Sequence, residues 1–232
     1  TDFVGYKEFR SSSKILAIFK NDIEVKEVNK SDEAVIILDK TPFYAESGGQ
    51  IGDQGIFDSE IGEFHVLDTI KIKKDVFGHI GKVKSGLLKV NQKIKAQIDI
   101  KKRDDIKRNH SVTHLLHKAL KIVLGDHVEQ KGSLVDNQKT RFDFSHTKPI
   151  SNEELNKIES IVNNEILMNT KTNTEMMPID KARTSGALML FGEKYESDVR
   201  VLTIGNSMEL CGGTHVQNTG DIGLFKIYSE TG

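Results

Sequence analysis

Two residue pairs of metal-binding type and spacing lie far apart in the chain: His110-Ser-Val-Thr-His114 and Cys211-Gly-Gly-Thr-His215. The second holds the only cysteine among 232 residues. Three imidazoles and one thiolate are a sufficient ligand set for zinc, which takes nitrogen and sulfur donors tetrahedrally. If the fold brings the pairs together, the chain carries a metal centre able to activate water. In a chain with 8 histidines, a His-x3-His pair alone is a weak signal. A lone cysteine followed at the same spacing by histidine is a rarer coincidence, and the two together carry the reading.

The elements that must hold these residues differ. Asp104 to Leu124 has helical periodicity, with Ile106, His110, Thr113, His114, His117, Leu120 and Leu124 on one stripe. His110 and His114 are one turn apart, so their rings project from the same face. An unpaired imidazole on an apolar stripe is costly, so each needs a hydrogen-bond partner or a cation. Ser111 follows His110 where the zinc-protease helix motif needs a glutamate base, which excludes that class. His117 reads either as a reserve ligand or hydrogen-bond donor behind a ligand, or as a partly buried helix histidine. Gly212-Gly213 disfavours a helix between Cys211 and His215, so a tight loop is expected there.

Two further stretches have both a bland and a chemical reading. In Thr41-Pro-Phe-Tyr-Ala-Glu-Ser-Gly-Gly-Gln50, the glycines Gly48 and Gly49 beside Gln50 suit a turn between strands. They also suit a loop whose backbone N–H groups approach a phosphate or ribose, although no Walker A ending is present. Gln130 is expected to start a strand close to the metal, as a surface residue or as a donor–acceptor group for a small polar substrate.

Around these motifs, residues 13–100 read as short strands: Lys14–Phe19, Ala34–Asp39, Phe64–Asp68 and Lys93–Ile100. Strands without intervening helices predict a small β-barrel over residues 1–100. Residues 101–232 predict an α+β domain with an antiparallel sheet. Its elements after the first helix, which ends at Gly125, are strands His127–Val135 and Thr140–Phe144, then a helix from the Ser151–Glu154 capping box to about Met168. Strands Thr172–Ile179 and Val199–Ile204, a short helix around Thr184–Leu190 and a strand Leu224–Tyr228 follow.

The net charge of −1 excludes binding of nucleic acid by overall charge alone. Lys71, Lys73 and Lys74 read as a solvated cluster. Lys101, Lys102, Arg103, Lys107 and Arg108 directly precede the histidine helix and suit either a solvated face or phosphate contacts. With 37% hydrophobic and 29% charged residues, no run reaches the length of a membrane span. One cysteine rules out an internal disulfide framework, so a reducing cytoplasm is the expected setting. The start, TDFVGYKEFR, reads as a piece excised from a longer protein.

Taken together, TPFYAESGGQIGDQG at 41–55, NHSVTHLLHKAL at 109–120, QKGSLV at 130–135, RFDFSH at 141–146, FGEKY at 191–195 and CGGTHVQNTGDIGLFKI at 211–227 resemble the editing region of alanyl-tRNA synthetases. Free-standing AlaX editing proteins are similar. The threonyl-tRNA synthetase editing domain is related, but the TPFYAESGGQ and CGGTH wording favours the alanyl family. The resemblance implies a β-barrel followed by an α+β editing core, zinc held by His110, His114, Cys211 and His215, and Gln130 in the editing pocket. It implies a tRNA(Ala) partner wrongly charged with serine or glycine, hydrolysed at the ester to the terminal adenosine. It further implies a parent enzyme that attaches alanine to tRNA(Ala) using ATP, with a region after Gly232 that assists dimerisation. The piece itself is not expected to charge tRNA.

Discrimination asks for a polar group, such as Gln130 or Thr113, that bonds the serine hydroxyl; a site built this way can reject the analogue lacking it by roughly 10⁴ or more. Four protein ligands describe a closed structural zinc site, whereas catalytic sites usually have three plus water. An exchangeable position is the expectation. The alternative is a tRNA-binding module stapled by structural zinc.

Overall fold

The computed structural model describes residues 1–189 and 196–231, so the FGEKY stretch lies outside the described residues. The chain is α+β, mostly sheet with few helices, as the strand and helix patterns predict. It divides into two compact units, Thr1–Arg103 and Asp104–Gly232.

The strands of the first unit are β1 (Asp2–Phe3), β2 (Arg10–Lys20), β3 (Ile23–Val25), β4 (Glu27–Asn29), β5 (Glu33–Leu38), β6 (Lys40–Thr41), β7 (Gly55–Ser59), β8 (Gly62–Lys73), β9 (Val76–Lys89) and β10 (Lys93–Ile98). The order β10-β7-β8-β9-β5-β2 closes through pairing of β10 with β2, giving a six-stranded antiparallel barrel. Alternation fills its interior. In β2 the inward residues are Ser11, Ser13 and Ile15; a bulge between Ile15 and Ala17 then shifts the phase, so Ile18 points in and Leu16 faces solvent. Ile15, Ile18, Ile36, Leu38, Phe57 and Phe64 pack in the centre. Burying each such side chain contributes about 1.5–3 kcal/mol.

The sequence reading misses β7 and β9. Three glycines and three lysines interrupt the β-branched signal of β9. One glycine is obligatory: a Cβ on Gly81 would sit 2.0 Å from the carbonyl oxygen of His65 on the neighbouring strand.

His79 lies wholly inside this unit. Nδ1 bonds the carbonyl of Ile36 at 2.8 Å, which makes it the donor, and Nε2 then accepts from Thr41 Oγ1 at 2.8 Å. Burial pushes its pKa down to about 4, only partly opposed by the Ile36 bond. The unfolded chain therefore binds one more proton than the folded chain between pH 6.5 and about 4. The stability is fully present above pH 6.5 and is lost as pH falls toward 4, amounting to about 3 kcal/mol. Denaturant unfolding across this range should show a slope smaller by about one proton in His79→Gln than in the native chain; equal slopes would contradict it.

Arg103 corrects the sequence expectation for the basic cluster. It is 0% exposed and cannot meet a phosphate. Its Nε donates to both carboxylate oxygens of Asp53 at 2.9 and 3.0 Å, Nη1 to the carbonyl of Gly5 at 2.7 Å, and Nη2 to that of Pro42 at 2.9 Å. Asp53 also accepts the backbone N–H of Tyr44 at 2.7 Å. The Gly48–Gly49 loop forms a tight turn. Both residues have positive φ, and Ser47 and Gln50 exchange backbone hydrogen bonds at 3.2 and 3.1 Å. That geometry alone calls for glycine, and Gln50 is fully buried.

Helix α1 (Ile100–Leu124) begins earlier than expected because Asp99 accepts the Lys102 backbone N–H at 3.0 Å as an N-cap. After it come the hairpin β11 (Gln130–Val135) and β12 (Thr140–Phe144), then α2 (Asn152–Leu167). The expected capping box is formed between Ser151 and Glu154. An antiparallel sheet follows, of β13 (Asn173–Pro178), β14 (Asp198–Ile204) and β15 (Ser207–Leu210), with α3 (Ile179–Thr184) between the first two. Helix α3 starts directly after Pro178, earlier than the expected Thr184–Leu190. Val112, Leu115, Ala119 and Leu120 of α1 pack with Ile158, Val162 and Ile166 of α2 and with Leu202 and Ile204 of β14.

Leu224–Tyr228 is not a strand. Its inward Phe225 is buried between exposed neighbours, as alternation predicts, but side chains of α2 bond its backbone. Asn163 Oδ1 accepts the Phe225 N–H at 2.9 Å, and Glu159 Oε1 accepts the Ile227 N–H at 2.7 Å. These groups satisfy the backbone without a partner strand.

Candidate metal centre

Helix α1 supplies the first half of the site. His110 and His114 are buried with rings 5.4 Å apart and 18° from parallel, the geometry of consecutive turns. Their surroundings extend beyond one stripe: every residue from His110 to Leu115 is buried.

The second half is the loop after β15. Cys211-Gly-Gly-Thr-His215 is irregular, as the glycine pair predicts. Arg200 of β14 clamps it, donating Nη1 to the carbonyls of Cys211 and Gly213, each at 2.9 Å. The Gly213 N–H points at Cys211 Sγ, 3.4 Å away. Cys211 Sγ lies 3.2 Å from His215 Nε2 and 3.6 Å from His110 Nε2.

One ligand atom from each of His110, His114, Cys211 and His215 lies within 4.8 Å of the other three. The cluster could hold a metal ion, and two observations fit the residues to one. The buried Nε2 of His114 has no hydrogen-bond partner among the described residues. The three-nitrogen, one-sulfur donor set suits a cation of zinc type.

The electrostatics point the same way. Burial opposes the Cys211 thiolate, but the imidazoles of His110, His215 and His114 outweigh it and hold the thiol well below its ordinary value. Burial pushes His215 down to about 3, keeping it a neutral imidazole. Burial also opposes a charged His114, yet the Glu209 carboxylate and Cys211 thiolate raise it to about 10. A cation would take the place of that proton.

Ser111, the residue that excludes the protease motif, has a task here. Its Oγ lies 3.1 Å from His215 Nδ1 and accepts the Val216 N–H at 3.1 Å. When His215 Nδ1–H donates to Ser111, Nε2 is left for a cation. Sequence reading missed Glu209. Its Oε2 accepts from His114 Nδ1 at 2.7 Å, and its Oε1 accepts from His117 Nδ1 at 3.0 Å. Glu209 lies on the short strand β15, two residues before the loop cysteine, and no sequence pattern singled it out. His117 is buried outside the four-residue cluster and faces Glu209 as a donor.

The other expected site residues have the following surroundings. The Thr113 hydroxyl bonds the Asn109 carbonyl and Thr140 Oγ1, each at 2.8 Å. Gln130 is half-buried at the start of β11, beside a bulge between Gln130 and Gly132. Lys101 is exposed, and Lys102 bonds Gln54. Lys107 and Arg108 pair with Asp104 and Asp105 one turn back. Surface pairs of this kind are worth well under about 1 kcal/mol, so the cations can exchange to another anion. No helix among the described residues is long and apolar enough to cross a membrane.

Residues 1–102 match the family described as class II (A) tRNA synthetases. Residues 199–232 match the threonyl and alanyl tRNA synthetase second additional domain, which includes the Cys211–His215 loop. Among curated relatives, alanine–tRNA ligase of Nitrosospira multiformis is 57% identical over the whole chain, which covers 27% of that protein. The corresponding ligase of Methylobacillus flagellatus is 56% identical over the whole chain, covering 26%. That of Delftia acidovorans is 54% identical over 99% of the chain, again covering 26%. The chain thus spans about a quarter of the length of these relatives, and with both family matches and end-to-end identity above one half it belongs to the alanyl-tRNA synthetase family.

Proposed function

We propose that residues 104–232 form a zinc-dependent deacylase that hydrolyses tRNA(Ala) mischarged with serine or glycine, and that residues 1–103 form a barrel domain of the same editing region. The parent protein is an alanine–tRNA ligase acting in the cytoplasm. The observation that carries this reading is the convergence of His110, His114, Cys211 and His215 within 4.8 Å.

When bound, zinc supplies Lewis acidity, which polarises an ester carbonyl and makes water a nucleophile near neutral pH. The chain's residues do the rest. His110 and His114 are the buried ligands on a rigid helix, whereas Cys211 and His215 are only half-buried. The loop half of the cluster is therefore its more accessible half, and an exchangeable ligand would be expected there. Gln130 offers a donor and an acceptor to the serine hydroxyl. Thr113 and Thr140 keep spare acceptor lone pairs but have engaged each other, so Gln130 is the stronger reader. Lys101, Lys107 and Arg108 meet tRNA phosphates, and Arg108 trades its surface pair with Asp105 for charge-assisted bonds.

The test is hydrolysis of serine-charged tRNA(Ala) by this chain. Hydrolysis should fall to the background rate with a strong chelator and return on zinc addition. A chelator-insensitive rate contradicts the metal role. Tight tRNA binding with no hydrolysis in zinc-loaded protein would favour a structural zinc module.

A further inference from the structure

Glu209 is 5% exposed, and a carboxylate so buried needs partners for its charge. Its partners divide by oxygen. Oε2 accepts from His114 Nδ1 at 2.7 Å. Oε1 accepts from His117 Nδ1 at 3.0 Å and from Ser207 Oγ at 3.2 Å. Both imidazoles are therefore held with the proton on Nδ1. For His114, this presents the Nε2 lone pair to the cluster of Cys211, His110 and His215. His117 Nε2 has no hydrogen-bond partner among the described residues, and its ring rests 5.2 Å from that of Phe142. The polar work of His117 is thus directed at Glu209.

We propose that Glu209 is a positioning residue of the metal centre: it fixes the tautomer and ring orientation of His114, while His117 and Ser207 hold its own carboxylate in place. This rests on the metal reading of the four-residue cluster. Charge supports it independently of geometry. A divalent cation with one thiolate and three neutral imidazoles leaves one positive charge in a buried site. The Glu209 carboxylate, one imidazole away, brings the sum to zero, and an uncompensated buried charge is costly. A carboxylate behind a metal-bound histidine also raises the basicity of that ligand.

Glu209→Gln is the informative change. An amide has one accepting oxygen and one donating nitrogen, so it cannot accept from both imidazoles at once. Zinc affinity of the 232-residue chain, measured by competition with a chromophoric chelator, should fall by about 10–100-fold in Glu209→Gln. The ligand-field absorption of the cobalt-substituted protein should shift relative to native. Melting of the metal-free proteins serves as the control, because a merely structural role would lower it without moving the cobalt spectrum. His117→Gln and Ser207→Ala leave the carboxylate but remove one anchor each; several-fold weaker zinc binding is expected in both. They keep the proposal testable if Glu209→Gln fails to fold. Native-like affinity and spectrum in Glu209→Gln, or in both anchor variants should it not fold, would overturn the role of Glu209 and leave the metal reading intact. Absence of zinc binding by the native chain would overturn both.

Discussion

Cys211→Ala is expected to lose stoichiometric zinc and to hydrolyse serine-charged tRNA(Ala) more than about 100-fold more slowly than the native chain, since even changes behind a ligand cost 10–100-fold. The thiolate is the anionic donor of the set and the hub of its contacts, 3.2 and 3.6 Å from two of the imidazoles. Its removal takes away the set's one anionic donor and raises the net charge of the loaded site by one, which is costly where the ligands are buried. The Arg200 clamp holds the loop through backbone carbonyls and survives the change, so the fold should persist. Zinc analysis of purified protein and single-turnover deacylation read the two effects separately. A variant with native zinc content and native rate would remove the thiolate from both roles.

Arg103→Ala is the largest stability change expected in the chain. It strands the Asp53 carboxylate, 2% exposed, without its cation, and leaves the carbonyls of Gly5 and Pro42 without donors. Breaking one side of a buried pair costs about 3–5 kcal/mol. For a unit of this size, that lowers the melting temperature by more than about 10 °C. Asp53→Ala should be similarly damaging. The double variant should cost less than the sum, because neither charge is then left unpaired. Lys101→Ala, at an exposed position of the same run, should leave melting unchanged and weaken tRNA binding with a smaller salt dependence. Additive melting losses in the double variant would contradict the buried-pair account.

These two residues show where sequence was sufficient and where it was not. The convergence of Cys211 and the three histidines was legible because metal sites draw on few donor types and spacings. Arg103 was misassigned because a run of basic residues carries no sign of which one turns inward; that is set by Asp53, fifty residues earlier in the chain. Glu209 was passed over because it lies on a four-residue strand, β15, that the sequence reading did not find. A carboxylate on a short strand becomes informative only when the histidines it faces are known.

The fold divides the same way. Runs rich in β-branched residues found β2, β5 and β8, strict alternation marked β10, and the capping box found α2. Strand β9 escaped because its glycines serve close strand approach rather than turns, as Gly81 shows. The segment Leu224–Tyr228 has strand-like alternation with no strand beside it, since Asn163 and Glu159 supply the hydrogen bonds a neighbouring strand would. Periodicity reports which side of a segment is buried, not what bonds its backbone.

X-ray absorption at the zinc edge of the purified chain, with metal content measured on the same sample, addresses the central claim most directly. The account predicts one zinc per chain with one sulfur at about 2.3 Å and nitrogen donors at about 2.0–2.1 Å. A zinc-free protein that remains active, or bound zinc with no sulfur neighbour, would contradict it.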